Sequence, residues 1–351
     1  MKLSVIMPVY NCREYLGDAI KSVFNGGISD VELIAVDDCS RDGSRELLKE
    51  LAENEPRIKA IYNDENRGVA AVRNIALNAA TGEYLAFCDS DDTLPDGSYA
   101  KMLAAAGDMD VVIGGFADLS DNGISRVTYL HSSERGSLFH ALMSVSCLWT
   151  KLIRRELVMK NGLTFDEDMT IGEDVVFLAR LSTLNPTFTV IDEVIYNHIH
   201  HSRASTASLT HIYSLSAFES HLECRKRLIS ICESAGNSQA REYVYENFSG
   251  YLDRFITFIG NGEEREAAFC AYRDYMKEYC WKSKPLLFRA LFGVEYDSFL
   301  SVGADGYIQL KYDVLPRDTV ADEFAAGRIG LRWIFKYFKN WLKYKLKRSG
   351  I

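Results

Sequence analysis

Apolar positions along the first part of the chain fall alternately in unbroken runs and at helical spacing. Leu3-Ser4-Val5-Ile6-Met7-Pro8-Val9 is a run of strand length. Residues 12–24 then place Tyr15, Leu16, Ala19, Ile20 and Val23 on one helical face. Glu32-Leu33-Ile34-Ala35-Val36 predicts a second strand, and Leu47, Leu48 and Leu51 a second helix, with Ser40 and Ser44 as its expected caps. Ile58-Lys59-Ala60-Ile61-Tyr62 predicts a third strand, residues 68–80 a helix of small side chains, and Tyr84-Leu85-Ala86-Phe87-Cys88 a fourth strand. Such alternation implies an α/β fold with a mostly parallel sheet and right-handed crossovers.

Ligands of such sheets bind beyond the carboxyl ends of the strands. Polar residues gather at those ends: Tyr10 and Asn11, Asp37 and Asp38, Asn63, then Asp89, Asp91 and Asp92. The first turn reads Pro8-Val9-Tyr10-Asn11, which is no G-x-G-x-x-G, and the chain has no P-loop. Asp89-Ser90-Asp91-Asp92 packs carboxylates that repel one another unless a cation shares them, and oxygen ligands suit magnesium or manganese. Taken alone, the same residues also fit a turn capping the next helix.

Four segments in order carry a family resemblance. Val5-Ile6-Met7-Pro8-Val9-Tyr10-Asn11 is similar to the opening strand of family-2 glycosyltransferases, which have the GT-A fold. Val36-Asp37-Asp38-Cys39-Ser40-Arg41-Asp42-Gly43-Ser44 resembles that family's V-D-D-G-S-x-D-G-S loop, with Cys39 at the usual glycine. Asn66-Arg67-Gly68-Val69-Ala70-Ala71-Val72-Arg73-Asn74 resembles its N-x-G-x-x-x-A-R-N segment, and Asp89-Ser90-Asp91 its D-x-D motif. The resemblance implies that Pro8, Tyr10 and Asp38 hold the base of a nucleotide. It further implies that Asn66 and Arg73 line the nucleotide and phosphate side, Asp89 meets the ribose or sugar, and Asp91, with Asp89, binds Mn2+ or Mg2+. The implied donor is a nucleotide-diphosphate sugar, a UDP-sugar above all. Arg73 has a rival reading as a surface helix residue paired with an acid.

Farther along, Trp149-Thr150-Lys151-Leu152-Ile153-Arg154-Arg155-Glu156-Leu157 is similar to the family's W-N-K-L-Y-R-R-E-L segment. Glu173-Asp174 resembles its E-D pair at a helix start. An acceptor hydroxyl is a poor nucleophile, and a carboxylate within hydrogen-bond reach can take its proton. The resemblance implies inversion at the anomeric carbon, with Asp174 as the base and Glu173 as an acceptor or positioning contact. Read alone, both acids are also favourable charges at a helix N-terminus. His198, His200 and His201 follow a predicted strand over 188–196 and fit either a metal or diphosphate role or an exposed strand end.

From Tyr213 the pattern is mainly helical, and boundaries fall near Thr210 and near Gly327. The expected organisation is a GT-A nucleotide-sugar-binding catalytic domain over 1–210, a helical region over 211–327 and a tail helix over 328–351. The tail carries eight basic residues between Arg328 and Arg348 and no acid, with Leu331, Ile334, Phe335, Phe338, Trp341, Leu342 and Leu346 at helical spacing. A basic amphipathic helix with aromatic edges suits an anionic membrane surface, or else docks on protein with its lysines solvated.

The formal net charge of -9 argues against nucleic acid as a partner. Eight cysteines without C-x-x-C pairing read as free thiols in a reducing compartment. No apolar run reaches membrane-spanning length and no signal peptide is visible, so a cytoplasmic location is expected, peripheral on the inner face of the membrane. The leading reading is a glycosyltransferase of bacterial cell-surface polysaccharide type, with a glycan or lipid-linked oligosaccharide as acceptor. A sugar-nucleotide pyrophosphorylase is a rival, but it calls for a glycine-rich basic loop after the first strand. A non-catalytic glycan- or partner-binding module is another, favoured by loss of the D-x-D or E-D pair, and both are intact.

Overall fold

The computed structural model describes residues 2–120, 123–129, 137–201, 213–279, 281 and 296–313. The chain divides into two compact units, one of residues 1–210 with 230–236, the other of 211–229 with 237–351. The tail over 328–351 lies outside the described residues.

In the first unit, β1 (Leu3–Val9), α1 (Arg13–Phe24), β2 (Val31–Asp37), α2 (Ser44–Asn54), β3 (Ile58–Tyr62), α3 (Gly68–Ala79) and β4 (Tyr84–Phe87) follow one another as the hydrophobic pattern requires. After α4 (Ser98–Ala106) come β5 (Val111–Ser120), β6 (Gly123–Thr128), α5 (Leu138–Ser144), β7 (Lys151–Arg154), α6 (Arg155–Lys160), α7 (Glu173–Thr183) and β8 (Phe188–Ile199). One eight-stranded sheet runs β3-β2-β1-β4-β7-β5-β6, with β8 paired to β5. The pairs β1–β2, β1–β4, β2–β3 and β5–β8 are parallel, while β7 runs antiparallel between β4 and β5. The fold is therefore a GT-A-like α/β sheet flanked by helices, mixed in its second half.

β2 and β4 are buried along their whole length, as parallel strands covered on both faces must be, so their sequences are continuous apolar runs. β3 is the edge strand, and only Ile58 of its five residues is buried. Pro8 is tolerated inside β1 for a local reason. The Ile6 carbonyl accepts from Cys88 N on the β4 side. Pro8 has the same parity, so its nitrogen faces that side too, past the last pair Ile6↔Phe87, where no ladder donor is needed. Because β1 to β4 are parallel, their carboxyl ends share one edge. β7 arrives there from the opposite direction, bringing Trp149 and Lys151 to it.

The cap assignment over Ser40 and Ser44 is corrected. Gly43, at φ +92, precedes α2 without a side-chain cap, and Ser44 is the first helical residue. Its hydroxyl donates to Asp42 Oδ1 at 2.5 Å and accepts from Cys12 N at 2.9 Å, while Ser40 Oγ accepts from Asn11 N at 3.0 Å. The serines thus tie two loops together, and the helix start rests on a left-handed glycine.

The second unit is helical among its described residues: Ser238–Tyr243, Ser249–Phe258, Gly262–Lys277, Tyr296–Ser301 and Ala304–Asp313. Tyr245, Tyr272, Tyr275 and Phe299 are buried in its core. No helix among the described residues is long and apolar enough to cross a membrane. Seven cysteines among them are free thiols.

Candidate functional site

Asp38, at the end of β2, is buried and accepts three hydrogen bonds. Asn63 Nδ2 (2.8 Å) and Arg67 N (2.9 Å) reach Oδ1, and Gly68 N (2.8 Å) reaches Oδ2. The carboxylate thereby fixes the start of α3. A carboxylate oxygen has two acceptor positions, so Oδ2 keeps one for a ligand. Around it, Pro8 is half-buried, Asn66 is exposed and Tyr10 is 53% exposed, which leaves its ring open. Cys39 adopts φ +63, the left-handed region where glycine is the unstrained choice.

Arg73 on α3 is buried, not on the surface. Its Nη1 meets Glu173 Oε1 at 2.5 Å and its Nη2 stands 3.5 Å from Asp89 Oδ1. One guanidinium thus joins the end of β4 to the first turn of α7. Neighbouring Asn74 bonds both the N and the O of Phe165 at 2.9 Å, and so anchors the segment that leads into α7. Gly172, at φ +84, starts that helix. Burial first, and then the charge of Glu173, raise the Asp174 carboxyl well above the usual carboxylate range, while Arg73 pulls it down. A base poised closer to neutrality is suited to take a hydroxyl proton.

The acidic loop after β4 divides its labour. Asp92 is buried, accepting from Tyr196 OH at 2.9 Å and Ile199 N at 2.7 Å. Burial, then Asp89 and Asp91, push it up to about 8. Tyr196 OH also accepts from Asp89 N at 3.0 Å. Asp91 is raised by burial and by the charge of Asp89. His201 stands beside it, Nε2 4.0 Å from Asp91 Oδ2 and 3.0 Å from Asp91 O, with its ring stacked 3.8 Å from that of Tyr15. Crowded carboxylates are an oxygen donor set that a hard divalent cation fits.

Asp118, His198 and His200 form a candidate metal-binding cluster, with ligand atoms all within 4.8 Å of one another. Sequence reasoning had no signal for Asp118, because the pairing of β5 with β8 brings it there. Trp149 stacks on Tyr196 at 4.2 Å and on His198 at 5.7 Å. Lys151 is fully buried, and its ammonium donates to the carbonyls of Val145 and Cys147 and to Thr150 Oγ1. Burial lowers it to about 8.

The four donor-side segments fall inside a match to the model for glycosyl transferase family 2, which covers residues 4–160. EpsJ of Bacillus subtilis, an uncharacterized glycosyltransferase, is 29% identical over 236 residues, 63% of this chain and 66% of the relative. The chain thus spans just under two thirds of that relative's length. In fold, the chain is similar to residues 1–349 of S. aureus TarS, solved in complex with UDP, with a TM-score of 0.63 and 19% identity over 93% of this chain and 92% of the other. EpsH of Bacillus subtilis, described as a glycosyltransferase, is 30% identical over 266 residues, 72% of this chain and 74% of its own length. A likeness of 30% identity that holds across most of both chains, with the family model covering the strand ends from β1 to β4, places this chain in glycosyl transferase family 2.

Proposed function

We propose that the protein is an inverting glycosyltransferase that moves a sugar from a nucleotide-diphosphate sugar onto a glycan or a lipid-linked glycan. The observation that carries this reading is the Arg73 guanidinium, which gathers Asp89 of the donor loop and Glu173 of α7 beside Asp174. Asp174 takes the proton of the acceptor hydroxyl as that oxygen bonds to the anomeric carbon. The bond to the diphosphate breaks on the opposite face, so the centre inverts. Glu173 orients Arg73, and Tyr10, Pro8, Asp38 and Asn66 form the wall for the base and ribose. Asp91 and Asp89 would hold Mn2+ or Mg2+, which supplies positive charge to the departing diphosphate. Trp149, half-buried and stacked on Tyr196 and His198, braces the strand ends beside the site.

UDP-sugars are the donors to try first, since TarS was solved with UDP and with UDP-GlcNAc. Relatives named for teichuronic acid and minor teichoic acid biosynthesis support a cell-envelope polysaccharide as the setting. In this reading residues 1–210 are the catalytic domain, 211–327 a helical region, and 328–351 a helix that docks on the anionic cytoplasmic face of a membrane.

The test is a nucleotide-sugar screen on wild type and Asp174→Asn. The variant should bind the nucleotide as before and turn over on the order of a hundredfold to ten-thousandfold more slowly. Weakened donor binding with unchanged turnover would make Asp174 structural and overturn the assignment.

A further inference from the structure

We infer that Asp118, His198 and His200 form a second divalent-metal site, selective for an imidazole-preferring ion such as Zn2+ and separate from the site at Asp91. Pairing of β5 with β8 puts Asp118 directly beside His198. Side chains two apart on an extended strand share a face, which brings His200 to the same carboxylate. Asp118 Oδ1 lies 2.8 Å from His198 Nδ1 and 3.1 Å from His200 Nε2. Two ligands of a tetrahedral ion with bonds of about 2.0–2.1 Å stand about 3.3 Å apart. The two carboxylate–imidazole pairs therefore need only a slight opening, and the two imidazole nitrogens, within 4.8 Å of each other, close on the ion.

The surroundings fit a coordination shell. Asp118 is buried, and its other oxygen, Oδ2, is held by Arg126 Nε at 2.6 Å, the kind of outer partner that orients a ligating carboxylate. The Arg126 side chain is 65% exposed, so water screens its charge from the ion. The Trp149 ring stacks on His198 and fixes its plane. His200 N donates to Leu119 O at 2.8 Å, which anchors the second histidine to β5 through the backbone. Two imidazoles and one carboxylate suit zinc better than magnesium, whose preferred ligands are oxygens. Both imidazoles are partly exposed, so a further coordination position faces solvent and can take water or an anionic ligand.

The site would also brace the donor loop. Ile199 N bonds Asp92, the backbones of Asn197 and Thr93 bond each other, and His201 reaches Asp91. An ion gripping His198 and His200 holds the end of β8 against β5, and with it these three contacts.

The test is a titration of the full chain with Co2+ alone, followed by its visible absorption, and repeated with Zn2+ as competitor. Wild type and Asp91→Asn should share one equivalent bound in an environment of nitrogen and oxygen ligands, which Zn2+ displaces, and any weaker second equivalent on the acidic loop should be present in wild type alone. Asp118→Asn and His200→Gln should weaken binding at least tenfold. His200 is about half exposed, so its variant should fold, and circular dichroism checks this. Four results would each overturn the proposal: no saturable binding, which leaves two histidine–carboxylate hydrogen bonds; thiolate charge-transfer bands, which put the ion on cysteine; loss in Asp91→Asn with retention in His200→Gln, which puts it on the acidic loop; or unchanged binding in both Asp118→Asn and His200→Gln. The outcome is independent of whether Asp174 is the base, because the readout is the spectrum and not turnover.

Discussion

Replacing Arg73 with methionine keeps an apolar stem and deletes the charge that Glu173 faces. The two side chains are 9% and 8% exposed, so the variant strands a carboxylate in the interior. Breaking a buried pair from one side costs about 3–5 kcal/mol, a large part of the about 5–15 kcal/mol that holds a typical domain together. The contact with Asp89 adds little, at 3.5 Å from a carboxylate that is 36% exposed. Adding Glu173→Gln removes the stranded charge, so the double variant should recover most of the loss. Arg73 also lowers the Asp174 carboxyl, against burial and Glu173, which raise it. Without the guanidinium that carboxyl rises further. The base must be ionised to act, so the acidic limb of kcat/KM should move to higher pH in Arg73→Met. Urea midpoints of wild type, single and double variants measure the first effect, and pH–rate profiles the second. A single-variant loss below about 1 kcal/mol, or a double variant no more stable than the single, would refute the buried pair.

Other outcomes follow from the same geometry. Asp92 has a folded-state value of about 8 against an ordinary 3.8, so its contribution is present below about pH 4 and is lost as pH rises to about 8; Mn2+ or Mg2+ should therefore raise Tm more at pH 8 than at pH 5, and equal shifts would argue against a cation on this loop. Asp91→Asn, or chelator added to wild type, should abolish transfer with the fold intact by circular dichroism, and full activity in chelator would remove the metal from the reading. Lys151 is lowered from 10.5 to about 8, so the free energy of unfolding should gain on the order of 3 kcal/mol between those pH values, a gain missing in Lys151→Met. Deleting 328–351 should release the protein from anionic vesicles at low salt and spare activity on a soluble acceptor analogue; binding of wild type should weaken as salt rises.

Much of the donor half was legible because its strands are buried on both faces. β1, β2 and β4 read as continuous apolar runs, and a parallel sheet puts the residue after each run at one edge. Asp38, Asp89 and Asp91 stand out that way from the sequence alone. Their partners could not. Nothing in the spacing of Arg73 and Glu173, one hundred residues apart, says that they touch. The expectation for Arg73 was a phosphate contact or a surface pair, and in the fold it is a buried pair whose guanidinium still reaches Asp89. Local turn chemistry misled at Ser40 and Ser44, where hydroxyls that commonly cap helices bind neighbouring loops instead.

The three histidines show most clearly what a one-dimensional pattern leaves open. A strand over 188–196 accounts for the apolar residues, but β8 runs on to Ile199, because its backbone has a partner in β5 as far as Leu119. That extension decides which way each imidazole points. Had β8 ended at Tyr196, the three rings would have shared a loop with no reason to separate. With the ladder continuing, His198 and His200 fall together on Asp118, and His201 turns to Asp91 and stacks on Tyr15. Adjacent residues thus serve two different groups of acids, and the selector is strand register, which depends on a segment some eighty residues earlier in the chain. Local spacing could raise the question of what the histidines bind. Only the pairing of β5 with β8 could divide them.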